Sequence, residues 1–281
     1  MKRYAVVNEG VGEIRRDPDH AAEQVSQAVL GTPLAVLGTR DRDRWLRIQA
    51  PDGTKGWMRS WSVTLMGARE LATYQNGPLV EIDALMGRIH AKATGRSPVI
   101  REAPLGVRLP RKGRNGNWIR TQLPDREVGY LHARELLVDK KTLRPRHRPK
   151  DIPSVVRTAH RFLGVPYQWG GLTSKGVDCS GLMQTVFCLH GVFLPRDSLD
   201  QFRWARRETY IYRDPADIQF GHLVFFGPRD SQIGHVGMSL GEGNFLHSRG
   251  RVRINSLRPE AAHFERELYR IFRGASPVLV S

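Results

Sequence analysis

Hydrophobic and polar positions alternate in short runs over the N-terminal half, broken by Gly, Pro and Asp. That is the period of half-buried strands joined by tight turns. AVLGTPLAVLG (28–38) and SPVIREAP (97–104) each read as strand and turn. From about residue 151 the period changes. In DIPSVVRTAHRFLG (151–164), Ile152, Val155, Val156, Ala159 and Phe162 fall on one side of a helix. A second helix is expected over 182–190, with Leu182, Met183, Val186 and Leu189 as its stripe and Gly191 as its stop. DSLDQFRWARRE (197–208) has a polar helical pattern. Strands with glycine turns are then expected at 222–227, 235–240, 244–248 and 252–257, and a last one in ELYRIFRG (267–274). Helices first and an antiparallel sheet afterwards make an α+β layout.

The N-terminal half contains a repeat. WLRIQAPDGTKGWM (45–58) and WIRTQLPDREVGYL (118–131) align without a gap, with Trp45/Trp118, Arg47/Arg120, Gln49/Gln122, Pro51/Pro124, Asp52/Asp125 and Gly56/Gly129 identical. Each copy reads as strand, Pro-Asp turn, strand. Several short strands per copy suggest small β-barrels. The pattern resembles bacterial SH3-like domains, in which a Trp opens one strand and a Gly-Trp or Gly-Tyr pair sits on the next. The copies are expected at about 3–66 and 84–138, joined by ARELATYQNG (68–77), with the tryptophans in the barrel cores.

Composition alters this picture in one respect. The chain of 281 residues has room for two or three domains and is ordinary at 40% hydrophobic and 26% charged, but its net charge is +16. A basic surface attracts polyanions. Here the charge is scattered, and its densest run, DKKTLRPRHRPK (139–150), carries two prolines and reads as a solvated linker. No nucleic-acid motif accompanies it, so an acidic small substrate is the preferred partner over nucleic acid. No apolar run is long enough for a signal peptide or a membrane span, and two unpaired thiols suit a reducing compartment, so a cytoplasmic location is expected. No metal or other cofactor is expected.

Cys179 lies in Asp178-Cys179-Ser180-Gly181, where a glycine-rich loop, VPYQWGGLTSKGV (165–177), meets the helical pattern. A thiol in the first turn of a helix feels the positive end of its dipole, which favours the thiolate. A buried structural cysteine is the other reading. Cys188 lies nine residues on, roughly 13 Å along the axis, too far for a disulfide, and reads as a small core hydrophobe. A thiolate needs a base, and the base needs an orienter. His235 opens HVGMSL, on the same face as Gly237, whose missing side chain would leave room for substrate. His247, across a Gly-Glu-Gly turn, would meet His235 on one hairpin and fix its tautomer.

These residues complete a resemblance. Residues 151–274 resemble NlpC-type peptidases, papain-like cysteine peptidases of bacterial cell-wall peptides, through PYQWGG (166–171), DCSGL (178–182), LPRDSLDQ (194–201), FGHLVFF (220–226), GHVGMSL (234–240) and FLHS (245–248). The resemblance implies a papain-like NlpC-type catalytic domain over 151–281, preceded by the two small SH3-like β-barrels. It implies Cys179 as nucleophile, His235 as base, His247 as the third polar residue and Tyr167 at the oxyanion site. His222 stands where the family usually has Asp, a structural position.

Two SH3-like domains ahead of such a domain resemble a narrower group, the γ-D-glutamyl-L-diamino-acid endopeptidases of murein peptide recycling. There the first SH3-like domain closes one end of the site, so that only a peptide with a free N-terminal L-alanine fits. The resemblance implies Asp197, Ser180 and Trp169 as subsite residues, with Glu23 reaching in from the first SH3-like domain. Thr54 stands where the group tends to have a tyrosine, and Trp57 or Trp61 is a substitute. Asp197 reads equally as a helix N-cap. The expected partner is thus an L-Ala-γ-D-Glu-diamino-acid murein peptide, taken by a monomer. An amidase or acyltransferase on the same fold, and a wall-binding scaffold, are the alternatives.

Overall fold

The computed structural model describes residues 4–139 and 141–278, which form two units, 1–147 and 148–281. In the first unit, a seven-stranded antiparallel sheet runs in the order Gln24–Val29, Val11–Arg15, Lys55–Arg59, Trp45–Gln49, Pro33–Arg40, Tyr4–Val7, Val63–Met66. Ala5, Val7, Ile14, Leu34, Leu46, Ile48 and Met58 fill its core. They occupy alternate positions of their strands, which is why the period of two was visible. After helix α1 (Ala68–Gln75), a six-stranded sheet repeats the order without the seventh strand: Val99–Pro104, Met86–His90, Val128–His132, Trp118–Gln122, Arg108–Asn115, Leu79–Glu81. The repeated tryptophans hold equivalent places, Trp45 opposite Arg59 and Trp118 opposite His132. Trp45 is buried, with the Arg59 guanidinium 4.8 Å from its ring centre. Trp118 is half-buried between the His90 and His132 rings.

The basic segment 139–150 is only in part the solvated linker expected. Leu143 is buried in the core of the second sheet, Arg146 N–H donates to Leu137 C=O, and Asp139 accepts from the amides of Lys141 and Thr142. One apolar residue among the charges is enough to dock the stretch.

The second unit is α+β. Helix α2 (Ile152–His160) is capped by Asp151, whose carboxylate accepts from Ser154 N–H, and it buries Val155, Val156 and Ala159. Helix α3 (Cys179–Cys188) carries the thiol at its first position, and helix α4 (Ser198–Glu208) follows. A five-stranded antiparallel sheet has the order Arg251–Ser256, Asn244–Arg249, His235–Gly241, Leu223–Phe226, Phe272–Ser276. The stretch expected as a single last strand divides into helix α5 (Arg266–Arg270) and the strand Phe272–Ser276. No helix among the described residues is long and apolar enough to cross a membrane.

Candidate active site

The sheet and α3 converge on Cys179. Asp178 caps α3, its Oδ1 accepting from Gly181 N–H at 2.6 Å. A Cβ at Gly181 would stand 2.2 Å from Gly171 C=O, so the approach loop lies against the helix start only because this residue is glycine. The other Asp178 oxygen accepts from Gly170 N–H at 2.8 Å and from Arg196 Nη2 at 2.5 Å. The Asp178–Arg196 pair is buried on both sides, with side chains 8% exposed each. A buried pair of this kind is tolerated when its hydrogen-bonding groups find partners, as the Asp178 oxygens do here. It ties three segments together around the thiol: the 166–171 loop, the first turn of α3 and the 194–197 loop. Gln201 adds a fourth tie, its Nε2 donating to the carbonyls of Ser180 and Pro195.

The imidazoles come from the sheet. Gly237 is fully packed, its missing side chain making room for the neighbouring strand: a Cβ there would stand 2.9 Å from Leu246 C=O and 3.1 Å from the His247 Cβ. It does not open space for substrate, as the alternation had suggested. His247 therefore lies beside Gly237, diagonal to His235 on the same face, within the reach of such cross-strand pairs. The His235 Nε2 to His247 Nδ1 distance is 2.7 Å. The diagonal continues onto the next strand, where His247 Nε2 and Asn255 Oδ1 are 2.9 Å apart. Asn255 was missed in the sequence. Its signal was a polar residue two places beyond Arg253, the residue facing His247.

This relay fixes the tautomers. Asn255 Nδ2 donates to His263 C=O at 3.1 Å, which turns Oδ1 toward His247. Nε2 of His247 must then donate, leaving its Nδ1 as acceptor. His235 Nε2 donates to that Nδ1, and the His235 Nδ1 lone pair is left for a proton from elsewhere.

Burial dominates the electrostatics. It pushes the Cys179 thiol up to about 11, and the Asp178 carboxylate adds to the rise. The amides of Val236 and Ser180 donate toward the sulfur and oppose it, with Arg196 beside them. His235 is pushed down to about 3 by burial, then by His247 and Arg249. His247 is pushed down to about 4 by burial, against the Asn255 hydrogen bond. The helix start therefore does not hold a resting thiolate, as the sequence had suggested; desolvation outweighs the dipole, and the pair rests as thiol and imidazole. Tyr167 is raised to about 12 by burial, then by Cys179 and Asp178, so its hydroxyl keeps its proton.

These shifts have a consequence for stability. The unfolded chain protonates both imidazoles near pH 6.5, and the folded chain does so only near 3 to 4. Below pH 6.5 the unfolded state binds more protons, so stability falls as pH drops from 6.5 toward 4. Denaturant midpoints across this range should show the fall, and a smaller one in a His235→Gln/His247→Gln variant. An equal fall in both proteins would overturn the burial of this pair.

The remaining sequence-derived residues are placed as follows. Tyr167 joins the site wall, its N–H donating to Gly250 C=O. Ser180 is buried, its hydroxyl donating to Asp178 and accepting from Arg196 Nη1, which leaves one lone pair for a ligand. Asp197 is exposed at the N-cap position of α4, but its side chain makes no capping bond. Trp169 is 62% exposed. Glu23, in the first unit, pairs with Arg16 at 2.6 Å. His222 is buried and stacks on Tyr212 at 5.3 Å, with its Nδ1 accepting from Gln219 N–H. Cys188 is exposed and in no disulfide, not a core residue, because the end of α3 where it lies reaches solvent. Among the described residues no group of three or more His, Cys, Asp or Glu could hold a metal ion.

A thiol on the first turn of a helix, set against an imidazole relay on an antiparallel sheet, is the arrangement of a thiol hydrolase. The comparisons narrow that class. Residues 164–273 match the NlpC/P60 family and residues 10–64 match the bacterial SH3 domain, so the chain carries an NlpC/P60 domain and an SH3-like β-rich region ahead of it. A gamma-D-glutamyl-L-lysine dipeptidyl-peptidase of Bacillus cereus is 27% identical over 238 residues, covering 79% of this chain and 66% of its own length. Dipeptidyl-peptidase 6 of Lysinibacillus sphaericus is 26% identical over 280 residues, covering 94% of this chain and 95% of its own. The Bacillus subtilis gamma-D-glutamyl-L-lysine dipeptidyl-peptidase is 40% identical over 96 residues, 34% of this chain and 31% of its own. The aligned parts thus span less than two thirds of two of these three relatives. The crystal structure of an NlpC/P60 family protein from Bacillus cereus shares the fold, with a TM-score of 0.80 at 21% identity, covering 99% of this chain and 100% of that one.

Proposed function

We propose that this chain is a cysteine endopeptidase that hydrolyses the bond between γ-D-Glu and a diamino acid in murein peptides with a free N-terminal L-Ala. The observation that carries the chemistry is the His235–His247–Asn255 relay, which leaves the Nδ1 lone pair of His235 outside its own bonds, one residue before the Val236 amide that donates to the Cys179 sulfur. The relatives' activity on γ-D-glutamyl-L-lysine, given in their names, supports the substrate.

The mechanism follows from the resting state. Cys179 and His235 begin neutral. As Sγ attacks the amide carbonyl, its proton passes to His235 Nδ1. The tetrahedral oxyanion is held by the Cys179 N–H, which as a first-turn amide has no helical acceptor, and by the protonated Tyr167 hydroxyl. The His235 imidazolium then protonates the leaving amine, and water releases the acyl enzyme.

Asp197 is the residue offered to the substrate ammonium. It is exposed at the N-cap position of α4. Ser180 and Trp169 complete the proposed subsite. An ammonium placed there without a carboxylate would be costly. A charge-assisted hydrogen bond contributes about 1.5–3 kcal/mol, so Asp197→Asn should lower kcat/KM by roughly ten- to a hundredfold. N-acetylating L-Ala-γ-D-Glu-diaminopimelate should cost at least as much. Chromatographic release of L-Ala-γ-D-Glu reads both effects. Equal cleavage of free and acetylated peptide by the intact protein would sink the free-amine requirement.

A further inference from the structure

A cavity of about 410 Å³ opens beside the base, His235. Tyr167 and His235 stand in its wall, while Asp197, Ser180 and Trp169 do not. Phe226, Pro228, Leu268 and Ile271 give it an apolar lining. Its size is that of a small-ligand site. Since His235 delivers the proton to the leaving amine, the space next to His235 is where the leaving half of the peptide must lie.

Arg249 is the permanently charged residue of this lining. Its Nη1 donates to Glu265 at 3.3 Å and its Nη2 to Glu267 at 2.5 Å. A guanidinium has five N–H donors, and these two bonds use two of them, so donors remain for a carboxylate. The two acids differ. Glu265 is mostly buried, whereas the Glu267 side chain is 73% exposed. Arg249 with its two acids carries a net charge of minus one. A lone substrate carboxylate raises that imbalance, and a substrate with both a carboxylate and a side-chain ammonium does not.

Resting on the endopeptidase reading above, we propose that this cavity is the leaving-group subsite, where Arg249 holds the free carboxylate of a diamino acid and Glu267, outside the lining but bonded to Arg249, attracts its distal ammonium.

Three peptides test this, each L-Ala-γ-D-Glu joined to a different amine: lysine, norleucine, which lacks the ammonium, and 1,5-diaminopentane, which lacks the carboxylate. The full-length protein should cut the lysine peptide at least tenfold faster, in kcat/KM, than either of the others. Arg249→Met should slow the lysine and norleucine peptides at least tenfold and change the diaminopentane peptide less than threefold. Glu267→Gln should slow the lysine and diaminopentane peptides and leave norleucine nearly unchanged. A merely structural arginine would slow all three alike, and that result overturns the assignment. Equal cutting of the three by the wild type also overturns it while leaving the endopeptidase reading intact. If none is cut, both readings fall.

Discussion

Cys179→Ala should reduce hydrolysis to background, a loss of about 10⁴-fold or more, because no other group at the site can form the acyl enzyme. The fold should survive. The side chain is small, and the caps, the Asp178–Arg196 pair and the Gln201 bonds do not use its sulfur. Its thermal midpoint should stay within a few degrees, as for roughly 1 kcal/mol of lost packing. Cys188→Ala should retain full activity, being at the far end of α3. Alkylation in the free enzyme follows a different logic. The nucleophile is buried with its thiol pushed up to about 11, while Cys188 is exposed, so iodoacetamide at neutral pH should label Cys188 first. A substrate-like electrophile, an L-Ala-γ-D-Glu chloromethyl ketone, should instead label Cys179, since only a bound ligand brings the carbon to the sulfur. Hydrolysis by Cys179→Ala at the wild-type rate would remove this residue from the mechanism.

Much of this was readable from residue patterns, and the exceptions share a cause. The helix at 152–160 was visible because its apolar stripe is local in sequence. The repeat was visible because each copy buries the same alternate positions against its own sheet. The docking of Leu143 was not, since a single apolar residue in a charged run has no period. Nor was the division of 266–276, where five helical residues are too few to show one. The Asp178–Arg196 pair links residues eighteen apart, and nothing local marks either as buried. Asn255 needed the strand register before its place beside His247 could be seen. The sign of the thiol shift was misjudged for the same reason. A dipole can be inferred from a helix start, but desolvation depends on the whole wall around the sulfur. Among the subsite residues, Asp197 was open to two readings in sequence, and the helix it precedes is not capped by it.

The relay orders the effects of its members. His235→Ala should lower kcat/KM by about 10³- to 10⁴-fold, because the thiol then has no acceptor for its proton and the leaving amine has no donor. His247 touches neither reacting atom. It holds His235 in the tautomer with a proton on Nε2, so His247→Leu, which removes that acceptor, should cost about 10²-fold, mainly in kcat. His247→Gln separates this role from packing. A glutamine amide can accept from His235 Nε2 and donate to Asn255, and should restore activity to within about tenfold of wild type. Asn255→Ala should cost less than His247→Leu, because His235 keeps its immediate partner while the far end of the relay loosens. If His247→Gln is as inactive as His247→Leu while both proteins melt at the same temperature, orientation through hydrogen bonding is the wrong account. If His247→Leu costs more than His235→Ala, the base is His247.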